Sequence, residues 1–134
     1  MAENGLITLP SAHDVATTLD RLTTVLEAKG VSIFARIDHA AGASSVGLPL
    51  RPTTLVIFGD PAAGTPLMQA AQTAGIDLPL KALVWRSVDG TTHLTYNDPA
   101  WIAARHGIAT EARQAVSALS AAMAAVARHA TSAQ

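Results

Sequence analysis

The chain has 134 residues, 49% of them apolar, with nine basic and ten acidic side chains and a formal net charge of −1. That length suits one domain with one core, and the cations are scattered from Arg21 to Arg128 without the basic face that a nucleic-acid partner requires. The absence of cysteine excludes disulfides, thiolate metal sites and thiol catalysis.

Met1-Ala2-Glu3-Asn4-Gly5 carries no cationic leader, and no apolar run approaches the roughly 20 residues of a spanning helix, so a cytoplasmic protein with no membrane partner is expected. Residues 6–9 predict a short strand stopped by Pro10. Ser11, with Asp14 three positions later, predicts a capped helix start. Val15, Leu19, Leu22 and Leu26 then form one apolar helix face, and Lys29 and Gly30 close it. Residues 31–37 alternate, which places Val31, Ile33, Ala35 and Ile37 on an inward face and Ser32, Phe34 and Arg36 on the other. Residues 38–52 predict a loop with one short helical turn. Leu55-Val56-Ile57-Phe58 shows no alternation and predicts an interior strand covered on both faces.

Gly59-Asp60-Pro61 breaks that strand. Thr65-Pro66, a hydroxyl at N-cap and proline at N1, predicts a helix over 67–73, ended by Gly75. Residues 81–88 and 91–96 flank Asp89-Gly90, a pair suited to a two-residue type I′ hairpin. Counting outward from that turn sets Trp85 opposite Leu94 and Leu83 opposite Tyr96 on an apolar face. Arg86 opposite His93 and Val84 opposite Thr95 then make the polar face. Asn97-Asp98-Pro99 predicts a cap for a short helix through Trp101 and Ile102, ended by His106-Gly107. A last helix, over about 110–129, repeats Ala112, Val116, Leu119, Met123 and Val126 among alanines. These elements predict an α+β fold over a single domain 1–134. The architecture is a two-layer α/β sandwich, with a mostly antiparallel or mixed sheet of about five strands and two long helices on one face. The other face is left for solvent or a subunit contact.

Arg36-Ile37-Asp38-His39 gathers three ionisable groups in four positions of an otherwise apolar stretch. A carboxylate orienting an imidazole, with arginine to hold an anion, makes a ligand or acid–base site. The alternative is a strand-end ion pair with His39 capping the next helix. Arg36 and Asp38 share a strand face. If the next strand is antiparallel, Arg51 reaches the same sheet end, either to pair with Asp38 or to join an anion site. Thr65 stands by free helix N–H groups, and a plain N-cap is its default role. Met68 reads as core filling. The histidines at 13, 39, 93, 106 and 129 lack metal-ligand spacing, and no Gly-x-Ser-x-Gly occurs, so no metal, cofactor or serine nucleophile is expected.

Several blocks carry a resemblance: Ala35-Arg36-Ile37-Asp38-His39-Ala40-Ala41-Gly42-Ala43, Leu50-Arg51-Pro52-Thr53-Thr54-Leu55-Val56-Ile57-Phe58-Gly59, Gly64-Thr65-Pro66-Leu67-Met68-Gln69-Ala70 and Tyr96-Asn97-Asp98-Pro99. With Leu78-Pro79-Leu80 and Ala103-Ala104-Arg105-His106-Gly107, they make residues 6–107 resemble the domain of unknown function 302 family. The resemblance implies a compact two-layer α/β domain that forms homodimers, and it supplies no chemistry. The expectation is therefore a small cytoplasmic homodimer that binds a small, anionic ligand through Arg36, Asp38, His39 and Arg51, with Thr65 near by. Its rivals are an acid–base enzyme using His39 with Asp38, and an interaction module without a ligand.

Overall fold

The computed structural model describes residues 4–108 and 110–134; Met1, Ala2 and Glu3 of the N-terminal reading lie outside the described residues. Strands β1 (Leu6–Pro10), β2 (Ser32–Asp38), β3 (Thr53–Gly59), β4 (Leu80–Arg86) and β5 (Thr92–Asn97) form one sheet in the order β1-β5-β4-β3-β2. Every pairing is antiparallel. Helices α1 (Val15–Ala28) and α5 (Arg113–Thr131) lie side by side over one face, α1 against β2 and β4, α5 against β1 and β5. A short α2 (His39–Ser45) follows β2 and packs on β3. Helices α3 (Pro61–Ala70) and α4 (Pro99–Arg105) lean on α5, and a 3-10 helix (Gln72–Ile76) continues α3. The fold is the expected α+β sandwich with two long helices on one face.

The core forms where strand parity meets helix stripes. Val56 and Phe58 of β3, Val84 of β4, and Leu94 and Tyr96 of β5 meet Leu19, Leu22 and Leu26 of α1. Met123, Val126, Ala127 and Ala130 of α5 complete this cluster. The alanines, fully buried at 127 and 130, let α5 approach α1 and the sheet closely. A second cluster joins Leu67, Ala74, Ala103, Ile108, Ala112 and Leu119. The last helix thus packs within its own chain and contributes to both clusters.

Local starts differ from the sequence reading at two helices. In α1 the N-cap is Asp14, whose carboxylate accepts the Thr17 N–H at 2.8 Å, while Ser11 bonds the Thr18 hydroxyl at 2.7 Å. The Thr17 hydrogen bonds hold the Asp14 carboxyl below the usual aspartate value. In α3 the cap is Asp60, which accepts the Ala62 N–H at 3.0 Å with Pro61 in the first turn. The helix therefore begins four residues before Thr65, and Pro66 falls inside it, where it removes one N–H from the helical ladder.

Two shifts of register decide which side chains meet the core. In β2 a bulge falls at Phe34: Ile33 stands opposite Phe58, but Ala35 stands opposite Ile57. One extra residue reverses the alternation. Ile33 keeps to the helix side, whereas Ala35 and Ile37 turn to the open side, so the expected four-residue inward face is broken. In the hairpin, Ser87 N–H donates to the Thr91 carbonyl at 2.9 Å and Gly90 N–H to the Ser87 carbonyl at 3.0 Å. The loop is therefore Val88-Asp89-Gly90, with Gly90 at φ +89°, and not the two-residue turn expected. Hydrogen bonds from the Ser87 hydroxyl and Thr91 lower the Asp89 carboxyl to about 2 and fix this loop. Pairing slips by one: Val84 stands opposite Leu94, Ala82 opposite Tyr96, Leu83 opposite Thr95 and Trp85 opposite His93. Trp85 and Leu83 thus face away from the long helices, while Tyr96 faces the core as expected.

Leu22 is 0% exposed at the centre of the larger cluster. Leu22→Ala is expected to destabilise the fold by about 3 kcal/mol, lowering the urea midpoint without changing the slope.

Candidate functional site

A cleft of 330 Å³ opens where the β2 bulge, the N-terminal half of α3, the segment before β4 and α5 converge. Phe34, Met68, Leu78, Pro79, Leu80 and Leu119 form its apolar walls, and Asp60 and Thr65 are the polar side chains that line it. The bulge is what brings Phe34 here, and its side chain stays 56% exposed. Gly59 keeps the floor open: a Cβ there would stand 3.3 Å from the Cβ of Pro79 and 3.4 Å from the Phe34 ring. The Asp60 carboxylate is committed to the α3 cap. Thr65 stands exposed within α3 and not at its start. Met68, read from sequence as core filling, both lines the cleft and packs against the smaller cluster.

The ionisable residues singled out from sequence are distributed differently. Arg36 stands opposite Val56 and Asp38 opposite Thr54, so the two share the helix side of β2. Asp38 is the N-cap of α2, accepting the Ala41 N–H at 2.9 Å, and His39, the first residue of that helix, is exposed. Arg51 donates from Nε to the Arg86 carbonyl at 3.1 Å, not to Asp38. Arg51 and Arg86 line a shallow groove with Leu48 and Leu50. Thr65 belongs to the cleft and not to this groove. Among the described residues the ion pairs are those of Asp77, and Arg36, Arg51 and Arg86 are in none of them.

The Asp77 network had no signal in the sequence. Its carboxylate accepts two hydrogen bonds from Arg105, at 2.9 and 3.0 Å, and lies 2.6 Å from Nε2 of His106. Nδ1 of His106 lies 2.9 Å from the Thr73 hydroxyl. With Nε2–H donating to Asp77, the other ring nitrogen is left to accept from Thr73, so both nitrogens are engaged. The imidazole is 7% and the carboxylate 14% exposed. Arg105 also sits over the Trp101 ring, 5.8 Å from its centroid. Lys81 donates to the carbonyls of Pro79 at 2.9 Å and Asp77 at 3.3 Å, and burial pushes its ammonium below the ordinary lysine value. Both clasps hold the short segment that carries Leu78 and Pro79, one wall of the cleft. Residues 28 and 29 positions apart leave no local pattern from which this could be read.

Among the described residues no three His, Asp or Glu side chains converge to hold a metal. On the open side of the sheet, Trp85 stacks on His93 with ring centroids 4.5 Å apart and donates to the Thr95 hydroxyl at 2.9 Å.

A five-stranded antiparallel sheet, covered on one face by helices and flanked by an apolar cleft, defines a small α+β domain. The chain belongs to the DUF302 family, whose model, "Domain of unknown function DUF302", matches residues 7–126. An uncharacterized conserved protein DUF302 from Bacillus stearothermophilus has the same fold, with a TM-score of 0.84 over 94% of this chain and 98% of that one, at 16% identity. Two Brucella proteins are similar in sequence. The fluoride-specific ion channel FluC 1 of Brucella suis biovar 1 (strain 1330) is 45% identical over 117 residues, 87% of this chain and 46% of that protein. The fluoride-specific ion channel FluC 2 of Brucella melitensis biotype 1 is also 45% identical over 117 residues, 43% of its length. The chain therefore spans less than half the length of these relatives. No described helix is long and apolar enough to cross a membrane.

Asp77→Ala removes three hydrogen bonds to charged or ionisable partners at once. A loss of about 2 kcal/mol in urea unfolding is expected.

Proposed function

We propose that this domain binds a small, largely apolar molecule in the cleft between Phe34, Met68, Leu78 and Leu119. The observation that carries this reading is the lining itself: the one carboxylate there is committed to a helix cap, which leaves the Thr65 hydroxyl to orient a ligand. Binding pockets of this kind are mostly apolar with few convergent polar groups, and 330 Å³ lies at the small end of their usual size. The protein then acts as a single cytoplasmic domain and as a homodimer.

A second reading keeps the anionic ligand expected from the sequence and moves its centre to Arg51 and Arg86, with Arg36 at the strand edge. It is favoured by guanidinium groups that have no carboxylate partner among the described residues and that border the apolar Leu48 and Leu50. Acid–base chemistry by His39 with Asp38 draws no support from the geometry, because Asp38 turns its carboxylate to the Ala41 N–H. The likeness to part of two Brucella fluoride-channel proteins supports a further element of this proposal. In such proteins a domain of this kind would serve as an accessory, ligand-responsive unit, separate from the pore.

A fluorescence titration with the neutral apolar dye N-phenyl-1-naphthylamine tests the cleft. Saturable binding is expected, weakened about ten-fold by Thr65→Trp at the mouth and unchanged by Arg51→Gln. Equal affinity in Thr65→Trp and the parent would contradict the assignment.

A further inference from the structure

The run Leu55-Val56-Ile57-Phe58 has the pattern of a strand buried on both sides, yet the long helices cover only the side of Val56 and Phe58. Leu55 and Ile57 face the other way, beside Leu83 of β4 and next to Trp85, and none of these four joins either core cluster. Ile37 extends the patch to the edge strand and is 40% exposed. An antiparallel sheet with a solvated face ordinarily alternates apolar with polar residues, and β3 does not.

We infer that a second copy of this chain covers this face, two sheets packing face to face about a two-fold axis near Leu55 and Leu83. The inference names the surface for the homodimer of the proposed function and rests on that element of it. Three properties of the face favour a copy of itself. Five strands about 4.8 Å apart and about 20 Å long give a footprint of about 480 Å². Side chains raise the accessible area above that footprint, toward the roughly 800 Å² per partner of a stable interface. The strand positions on this face carry no carboxylate; their ionisable groups are Lys81, which donates to carbonyls of its own chain, and His93, stacked on Trp85. Self-pairing therefore opposes no unsatisfied charges. The apolar residues concentrate on β2, β3 and β4; Thr8, His93, Thr95 and Asn97 make the β1 and β5 side more polar, with Leu6, 48% exposed, at its outer edge. The more apolar part of the face therefore lies where a two-fold axis near Leu55 and Leu83 superposes it on itself.

Light scattering after size-exclusion chromatography of the full chain should give twice the 13.8 kDa chain mass. Leu55→Glu combined with Ile57→Glu should give a monomer with unchanged far-UV circular dichroism. Since the chain has no cysteine, Leu83→Cys, near the axis, should form an interchain disulfide on mild oxidation, and this decides the matter if the double variant fails to fold. A monomeric parent, a dimer that survives the double substitution, or no cross-link at Leu83→Cys would each overturn the inference. The cleft lies outside this face, so dye binding persists in the monomeric variant if only the dimer is wrong, and it is absent throughout if only the cleft is wrong.

Discussion

The packing of α5 is the constraint on which the rest of the structure depends. Met123, Val126, Ala127 and Ala130 close the main core over the sheet, while Ala112 and Leu119, nearer its N-terminal end, build the second cluster with α3 and α4. Such double use requires small residues, because a helix wedged between a neighbouring helix and a sheet must approach both closely. Leu119 also walls the cleft. The helix that completes the fold thus places a second layer of short elements beside the sheet, and the cleft is the space between those elements and the bulged edge strand.

That edge strand links fold to site. A bulge costs a ladder position, but here it projects Phe34 over Gly59 and Pro79 while Ile33 stays in the core. The same extra residue sends Ala35 and Ile37 to the uncovered face. One irregularity therefore shapes both candidate surfaces, the cleft beside β2 and the apolar sheet face. The wall opposite Phe34 is held by ionic and carbonyl contacts from Asp77, Arg105, His106 and Lys81, so its position does not depend on apolar packing alone.

Much of the architecture was legible in the sequence because it is local. Leu19, Leu22 and Leu26 gave their helix face, Asp98 and Pro99 their cap, and Tyr96 its inward direction. What escaped was parity and distance. The extra residue in the 88–90 loop looks the same as a two-residue turn until Ser87 and Thr91 are seen to pair, and that single step turns Trp85 outward. Asp38 drew attention as candidate chemistry, yet it caps a helix, as Asp14, Asp60 and Asp98 do. An aspartate between a strand and a helix serves the free N–H groups first. The cleft itself had no chemical motif, since its walls come from four separated stretches, 34, 59–68, 78–80 and 119, whose apolar residues any core would use.

The most direct test of the account is a nuclear magnetic resonance titration of protein carrying labelled methionine methyl groups, with N-phenyl-1-naphthylamine as ligand. The chain holds three methionines: Met68 lines the cleft, Met123 is buried in the main core, and Met1 is terminal. A cleft-bound ligand shifts the Met68 signal saturably and leaves Met123 and Met1 in place. A silent Met68, or a Met123 that moves with it to the same extent, would contradict binding in the cleft.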